Sequence, residues 1–112
     1  MSVSPEYRAY VLEQLGRVLP ITSRSMFGGV GIYTNGLFFA LMDNDTLYLK
    51  VDDANRPRFE AIGSGPFPPY GDDRAMQYYE LPADLLEDAD ELRGWVDAAV
   101  DVARRRKQKR PR

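Results

Sequence analysis

Few side chains in this sequence are suited to catalysis. The chain of 112 residues contains neither histidine nor cysteine. This excludes Ser-His-Asp and Cys-His nucleophile systems, and zinc sites built from cysteine and histidine. It also removes the side chain that most often acts as a base near neutral pH. An enzyme would have to rely on Asp, Glu, Lys, Tyr, Ser or backbone donors, so we expect no catalytic residue, no metal and no cofactor.

The segment Gly28-Gly29-Val30-Gly31 is the one stretch that suggests phosphate binding. A phosphate loop needs a helix directly after its glycines, because the helix N-terminus binds the anion. Here a strand pattern, the pair Asn35-Gly36 and a second strand pattern follow instead, which is the signature of a β-hairpin. We therefore interpret the glycines as a bulge or a close backbone approach where the chain enters a sheet.

Two groups of aspartates, Asp43 with Asp45 and Asp72 with Asp73, have the hard oxygen ligands that Ca²⁺ and Mg²⁺ prefer. Neither group belongs to a twelve-residue calcium loop with its terminal glutamate. Solvated turns are the better interpretation of both.

Aromatic residues are frequent in the strand patterns, and an aromatic sheet face can stack unpaired bases. Such a platform needs basic neighbours, and only Lys50 lies within these strands. We therefore favour core and cross-strand packing, with half of the rings facing a helical layer. The rings in question are Tyr33, Phe38, Phe39, Tyr48, Tyr78 and Tyr79.

A loop is predicted over residues 63–75, which hold three prolines and three glycines. The sequence leaves two interpretations of Phe67 and Tyr70 open. They belong either to a partner-binding or lid element, or to a loop that these two rings pin to the body of the protein.

Charge is distributed unevenly along the chain. Seven of the 15 basic residues lie from Arg104 onward, which leaves eight against 17 acidic residues in 1–103, a charge of −9. An acidic body repels phosphates, so nucleic acid would be bound weakly, through the C-terminal tail. The alternative is a frayed helix end that complements the helix dipole. The candidate nucleic-acid contacts are Arg104, Arg105, Arg106, Lys107, Lys109 and Arg110.

Three helices are predicted. The first begins after Ser4, a capping residue followed by Pro5, and ends near Val18 or Leu19, before Pro20. Its apolar face is interrupted only at Gln14, and comprises Tyr7, Tyr10, Val11, Gln14, Leu15 and Val18. The second is short and runs from about Asn55 or Arg56 to Ile62, where Gly63 ends it. The last begins near Glu87 or Asp88, after a turn over 83–86, and we expect Trp95 to anchor it on the sheet. Its apolar stripe at helical spacing comprises Leu92, Trp95, Val96, Ala99, Val100 and Ala103.

Strands are predicted at about 30–34, 37–42, 46–51 and 76–81, after a short extended piece at 24–27. Because short turns join the first strands, they form an antiparallel meander. We therefore predict a two-layer α+β domain over 1–104, an antiparallel sheet flanked by N- and C-terminal helices, followed by a basic, disordered tail over 105–112. The sequence contains no apolar run long enough to span a membrane and no signal peptide, so we expect a cytoplasmic protein.

The sequence resembles the TfoX/Sxy N-terminal domain family. The resemblance covers about residues 7–104 and rests on Arg24-Ser25-Met26-Phe27-Gly28-Gly29-Val30-Gly31, Phe39-Ala40, Leu47-Tyr48-Leu49-Lys50-Val51-Asp52, Tyr78-Tyr79-Glu80-Leu81-Pro82 and Trp95. It implies an α+β fold similar to that of type III secretion chaperones, and no catalytic residues. It also implies an association with natural competence, in which longer members act with the cyclic-AMP receptor protein at promoters. Those members carry a second helical domain where this chain has its basic tail.

We expect a non-enzymatic protein-interaction domain that acts as an accessory regulator of transcription. Its partner is unknown, with the transcriptional machinery as one candidate and a second copy of the chain as another. The candidate interaction loops contain Arg24, Met26, Phe27, Gly28 and Gly29 in one, and Phe67 and Tyr70 in the other. The alternatives are weak nucleic-acid binding through the tail, and a small enzyme without histidine or cysteine.

Overall fold

The computed structural model describes residues 3–26, 28–66 and 77–109, with the backbone alone at 108 and 109. It is an α+β domain, as predicted: one antiparallel sheet of five strands in the order β1-β2-β3-β4-β5, with N- and C-terminal helices on one face. The elements are α1 Pro5–Gly16, β1 Thr22–Met26, β2 Gly29–Thr34, β3 Leu37–Asp43, β4 Thr46–Lys50, α2 Arg56–Ala61, β5 Tyr78–Glu80, α3 Ala83–Leu86 and α4 Ala89–Lys109. None of the helices described is both long and apolar enough to cross a bilayer.

The first helix begins as predicted and ends earlier. The hydroxyl of Ser4 accepts a hydrogen bond from the Tyr7 N–H, and Pro5 occupies the first turn. Val11, Gln14 and Leu15 are buried, but Tyr10 is exposed, so its place on the predicted apolar face is wrong. Gln14 is tolerated inside because its side-chain amide donates to the Leu86 carbonyl at 3.1 Å, which ties α1 to α3.

Two tight hairpins set the register of the central strands. Asn35 and Gly36 have φ of 50° and 78°, which confirms the predicted Asn-Gly turn between β2 and β3. Asn44 and Asp45 also have positive φ, 53° and 54°, and turn the chain from β3 into β4. Asn and Asp reach this left-handed region at less cost than most residues, because their short polar side chains bond locally.

A β-bulge in β3 decides which aromatic rings face the helices. Ile32 pairs with Ala40, but the next residue, Tyr33, pairs with Phe38, so Phe39 is the extra residue. Phe39 and Ala40 consequently both join the core beneath the helices, and Phe38 lies on the opposite face. Simple alternation along the strand could not have predicted this.

The remaining strand and helix follow the prediction in outline. The second helix ends at Ala61, and Gly63 has the expected left-handed φ of 79°. Asn55, the residue before this helix, is buried. Its side chain accepts a hydrogen bond from the Asp52 N–H and donates one to the Lys50 carbonyl. Strand β5 covers only Tyr78–Glu80, and the predicted strand start at Met76 lies outside the described residues.

The C-terminal helix supplies much of the core. Its predicted apolar stripe is confirmed, since Leu92, Trp95, Val96, Ala99, Val100 and Ala103 are all buried. The Asp88 carboxylate caps it by accepting from the N–H groups of Asp90 and Glu91. Trp95 belongs to the core cluster that contains buried residues of β2, β3 and β4. Its ring also meets that of Phe59 in α2 edge-on, with 4.7 Å between the centroids, and the Arg58 guanidinium lies 4.4 Å from the indole centroid. The indole therefore joins α2 to α4 within the core.

Candidate interaction surface

The first candidate loop is mostly strand. Arg24 and Met26 lie in β1, Gly29 opens β2, and Gly28 makes the turn between them with φ of 82°. Phe27 lies outside the described residues. The segment is therefore an edge hairpin, and Arg24, opposite Gly31 in the register, is exposed.

Two glycines of this hairpin are closely packed, the first against backbone and the second against side chains. A Cβ on Gly29 would collide with the backbone carbonyl of Met42 on β3, which cannot move without disturbing the sheet. A Cβ on Gly31 would lie 2.5 Å from Met26 Cε and 3.1 Å from Phe38 Cε1. The side chains of Met26 and Phe38 thus occupy the space above Gly31. This supports the interpretation of the glycines as a close backbone approach rather than a phosphate loop.

Aromatic rings form a row on the sheet face opposite the helices. Tyr33 stacks on Phe38 at 5.0 Å between centroids, and Phe38 lies 5.8 Å from Tyr78. The Lys50 ammonium lies 5.1 Å from the Phe38 centroid and 5.7 Å from that of Tyr78. Tyr48 belongs to the same cluster, whereas Phe39 and Tyr79 face the helices. Two of the six rings therefore face the helices and four face away, rather than the even division that was predicted.

Burial raises the pKa of Tyr78 to about 12, with a smaller lowering effect from Arg106. Burial likewise raises the pKa of Tyr7 on α1 to about 12, with further upward effects from Asp45 and Glu80. Both phenols are thus kept neutral and are poor proton-transfer groups near neutral pH.

The edge strand β1 has a cation on each of its faces. Arg24 lies in the register row of Gly31, Leu41 and Tyr48, on the face away from the helices. On the helical face, Arg8 of α1 donates to the hydroxyls of Ser23 and Ser25 at 3.2 and 3.3 Å. The edge is therefore positive although the chain carries a net charge of −2.

The basic end of the chain is more ordered than predicted. Helix α4 continues to Lys109, so residues 105–109 are helical rather than a disordered tail. Arg105 forms a forked ion pair with Asp52, with its Nη2 2.9 Å from Asp52 Oδ2, and Arg104 bonds to Asp101 at 2.7 Å. Two of the six candidate nucleic-acid contacts are therefore paired with carboxylates of the chain itself. Lys107 is exposed and Arg106 half-buried, whereas the Lys109 side chain and Arg110 lie outside the described residues.

The ion pair shifts the acidity of Asp52. Partial burial raises the pKa of this carboxyl, but the hydrogen bond from the Ala54 N–H and the Arg105 guanidinium outweigh burial. The net effect places the pKa of Asp52 below its ordinary value. Asp52 is thus a fixed anion that holds the end of α4 against the start of α2.

An open depression of ≈ 400 Å³ lies where the turn after β2 meets α4. Its charged lining residues Asp97, Asp101 and Arg104 are all exposed, so water reaches them and the depression offers no dry acid–base pair. Within the described ranges, no three acidic side chains converge as metal ligands. Phe67, Tyr70, Asp72 and Asp73 lie outside the described residues.

Comparison with known proteins supports the resemblance read from the sequence. The family model of the TfoX N-terminal domain matches residues 13–103, which is most of the chain. No match is found among the curated proteins. The matched range contains the edge hairpin, the whole sheet, α2, α3 and most of α4. The chain belongs to the TfoX N-terminal domain family.

Proposed function

We propose that this chain is a non-enzymatic protein-interaction domain that serves as an accessory regulator of transcription, and that its edge hairpin, residues 22–34, makes the contact. One observation carries the proposal. The segment on which the family resemblance chiefly rests, Arg24–Gly31, lies at the sheet edge and exposes its arginine to solvent. An edge strand with a solvent-facing arginine has both a charge and main-chain groups available for contact with another protein.

Site-specific photo-crosslinking in living cells tests the interaction. A photoreactive phenylalanine replaces Thr22, which is exposed on β1, and in a control variant it replaces Glu87, which is exposed beyond α3. We expect discrete protein adducts from the Thr22 position and none of these from the Glu87 position. Equal adduct patterns from the two positions would contradict the proposal.

The regulatory role has its own test. Transcript levels are compared between cells with the wild-type gene, cells without it, and cells that carry Arg24→Glu. We expect the deletion and Arg24→Glu to change the same set of transcripts. Unchanged transcripts in the deletion would remove the transcriptional role and leave the interaction role standing.

Nucleic-acid binding through the tail can be tested without truncating α4. Truncation after Ala103 would also remove the contact between Arg105 and Asp52, so loss of function would have two causes. The triple variant Lys107→Gln, Lys109→Gln, Arg110→Gln removes three cations and retains that contact. We expect this variant to keep the crosslinks and the transcript pattern; loss of either would favour the tail.

A further inference from the structure

The two edges of the sheet are treated differently. The outer side of β5 is covered by the segment 64–66: Pro66 forms a bridge with Tyr79, the Glu80 N–H donates to the Gly65 carbonyl at 3.1 Å, and the Ser64 hydroxyl donates to the Glu80 carbonyl at 2.6 Å. On the outer side of β1, nothing in the described part of the chain bonds to the backbone. Alternate residues of the five in β1 therefore direct their main-chain donors and acceptors away from β2, where no described segment meets them.

Charge at this edge is uncompensated. Arg24 forms no hydrogen bond or ion pair with any described residue, and the contacts of Arg8 are the hydroxyls of Ser23 and Ser25. Three other arginines each meet a carboxylate: Arg56 pairs with Asp53, Arg104 with Asp101 and Arg105 with Asp52. A strand added to β1 would thus find a guanidinium on each face and no acidic residue of β1 opposing it.

A second copy of the chain fits this edge poorly. An antiparallel pair of β1 strands related by a two-fold axis uses all five residues only when Arg24 lies opposite its own copy. Directly opposed side chains have Cβ atoms about 4.5–5.5 Å apart, and like charges at that distance are destabilising. Moving the two-fold axis from Arg24 to Ser23 or Ser25 separates the arginines but leaves only three of the five residues paired. The strand that fits is therefore acidic at the position facing Arg24.

We propose that β1 binds an extended segment of another protein by strand addition, with a carboxylate opposite Arg24 and an apolar side chain two positions away, opposite Met26. This rests on the interaction role proposed above and names the class of partner. Main-chain hydrogen bonds provide affinity in this mode, and alternate side chains provide specificity. Arg24 and Met26 lie on the same face because they are two residues apart in β1. Met26 is half-buried over Gly31 and offers the apolar contact.

Selection from a random library of short displayed peptides on the purified full chain tests the proposal. We expect the selected peptides to share Asp or Glu two positions from an aliphatic or aromatic residue. Their affinity for the Arg24→Glu variant should be lower by roughly fivefold or more, because the glutamate repels the peptide carboxylate that the arginine attracts. Arg17→Glu, an exposed arginine at the end of α1, changes the net charge equally and should bind as wild type does. Replacing the peptide carboxylate by lysine should restore binding to Arg24→Glu.

Hydrogen exchange of the backbone amides identifies the surface used. Bound peptide should protect amides of β1, since their N–H groups become donors to the added strand. Peptides that bind equally to Arg24→Glu, or that protect amides elsewhere, overturn the strand addition but leave an interaction domain. A selection that yields no binder overturns the strand addition, while the crosslinking experiment independently judges the function. A wild-type dimer in sedimentation that Arg24→Glu alters would assign the edge to a second copy and also overturn the proposal.

Discussion

Single residues of the edge hairpin are constrained by backbone contact. Gly29 packs directly against the Met42 carbonyl, whereas Gly94 in α4 has open space around its Cα. We expect Gly29→Ala to lower the free energy of unfolding by about 1–3 kcal/mol, since the carbonyl must move. Gly94→Ala should instead raise it by up to ~1 kcal/mol through helix propensity. Urea denaturation measures both, and equal effects of the two substitutions would contradict the close approach.

The forked pair of Asp52 and Arg105 makes a prediction about acid stability. Because the pKa of Asp52 is lowered on folding from its ordinary value of 3.8, its contribution is present above that value and is lost as the pH falls through the folded pKa. The two side chains are 26% and 42% exposed, so we expect Asp52→Asn to cost only about 0.5–1 kcal/mol at neutral pH.

The matched control is Asp53→Asn, since Asp53 is fully exposed and pairs with Arg56 within one turn. It should cost less than Asp52→Asn in the same urea titration. The penalty of Asp52→Asn should shrink as the pH falls below 3.8 and vanish only below the folded pKa of Asp52, where both chains carry a neutral side chain. A penalty that persists unchanged in acid would mean that the pair is not its source.

The packing of α2 against α4 involves one buried indole. Trp95 of α4 contacts Phe59 and Arg58 of α2. We expect Trp95→Ala to cost about 3–5 kcal/mol, as for other large aromatic residues in cores. The buried indole Nε1 has no hydrogen-bond partner among the described residues, so Trp95→Phe should lose far less, roughly 1 kcal/mol, because it also removes an unpaired donor.

Denaturant melts of both variants decide whether Trp95 has this role. Tryptophan fluorescence is lost with the indole, so circular dichroism reports unfolding in all three chains. A cost below ~1 kcal/mol for Trp95→Ala would show that α4 is held by its other apolar residues. If Trp95→Phe lowered the free energy of unfolding as much as Trp95→Ala, the indole N–H would have a hydrogen-bond partner in solution.

The molecule as a whole should lose stability in alkali through its buried phenols. Burial raises the pKa of Tyr78 from 10.0 to about 12, so its contribution is complete below the unfolded value and is lost as the pH rises toward the folded one. Between pH 10 and about pH 12, we expect the free energy of unfolding of wild type to fall by about 1–2 kcal/mol more than that of Tyr78→Phe. Urea midpoints measured at a series of alkaline pH values provide the comparison. Parallel curves for the two proteins would show that Tyr78 is solvated.

Local patterns were sufficient for most elements of this molecule. The Asn35-Gly36 turn, the capping of α1 by Ser4 and the stripe from Leu92 to Ala103 depend on neighbours in sequence, because backbone angles and helical periodicity are local properties. These patterns therefore determined the antiparallel meander, its flanking helices and the family. They also placed Arg24 and the glycines together in one segment.

Only the tertiary structure decided which surfaces of these elements remain available. The bulge at Phe39, the contact of Trp95 with Phe59 and the pairing of Arg105 with Asp52 join residues that are distant in sequence or break simple alternation. The same holds for the candidate site: the sequence identified Arg24 but not that it lies on an edge strand which no described segment covers, nor that Arg8 lies behind it. Strand order and helix placement determine an edge, and both result from the summed burial of the whole core rather than from any one pattern.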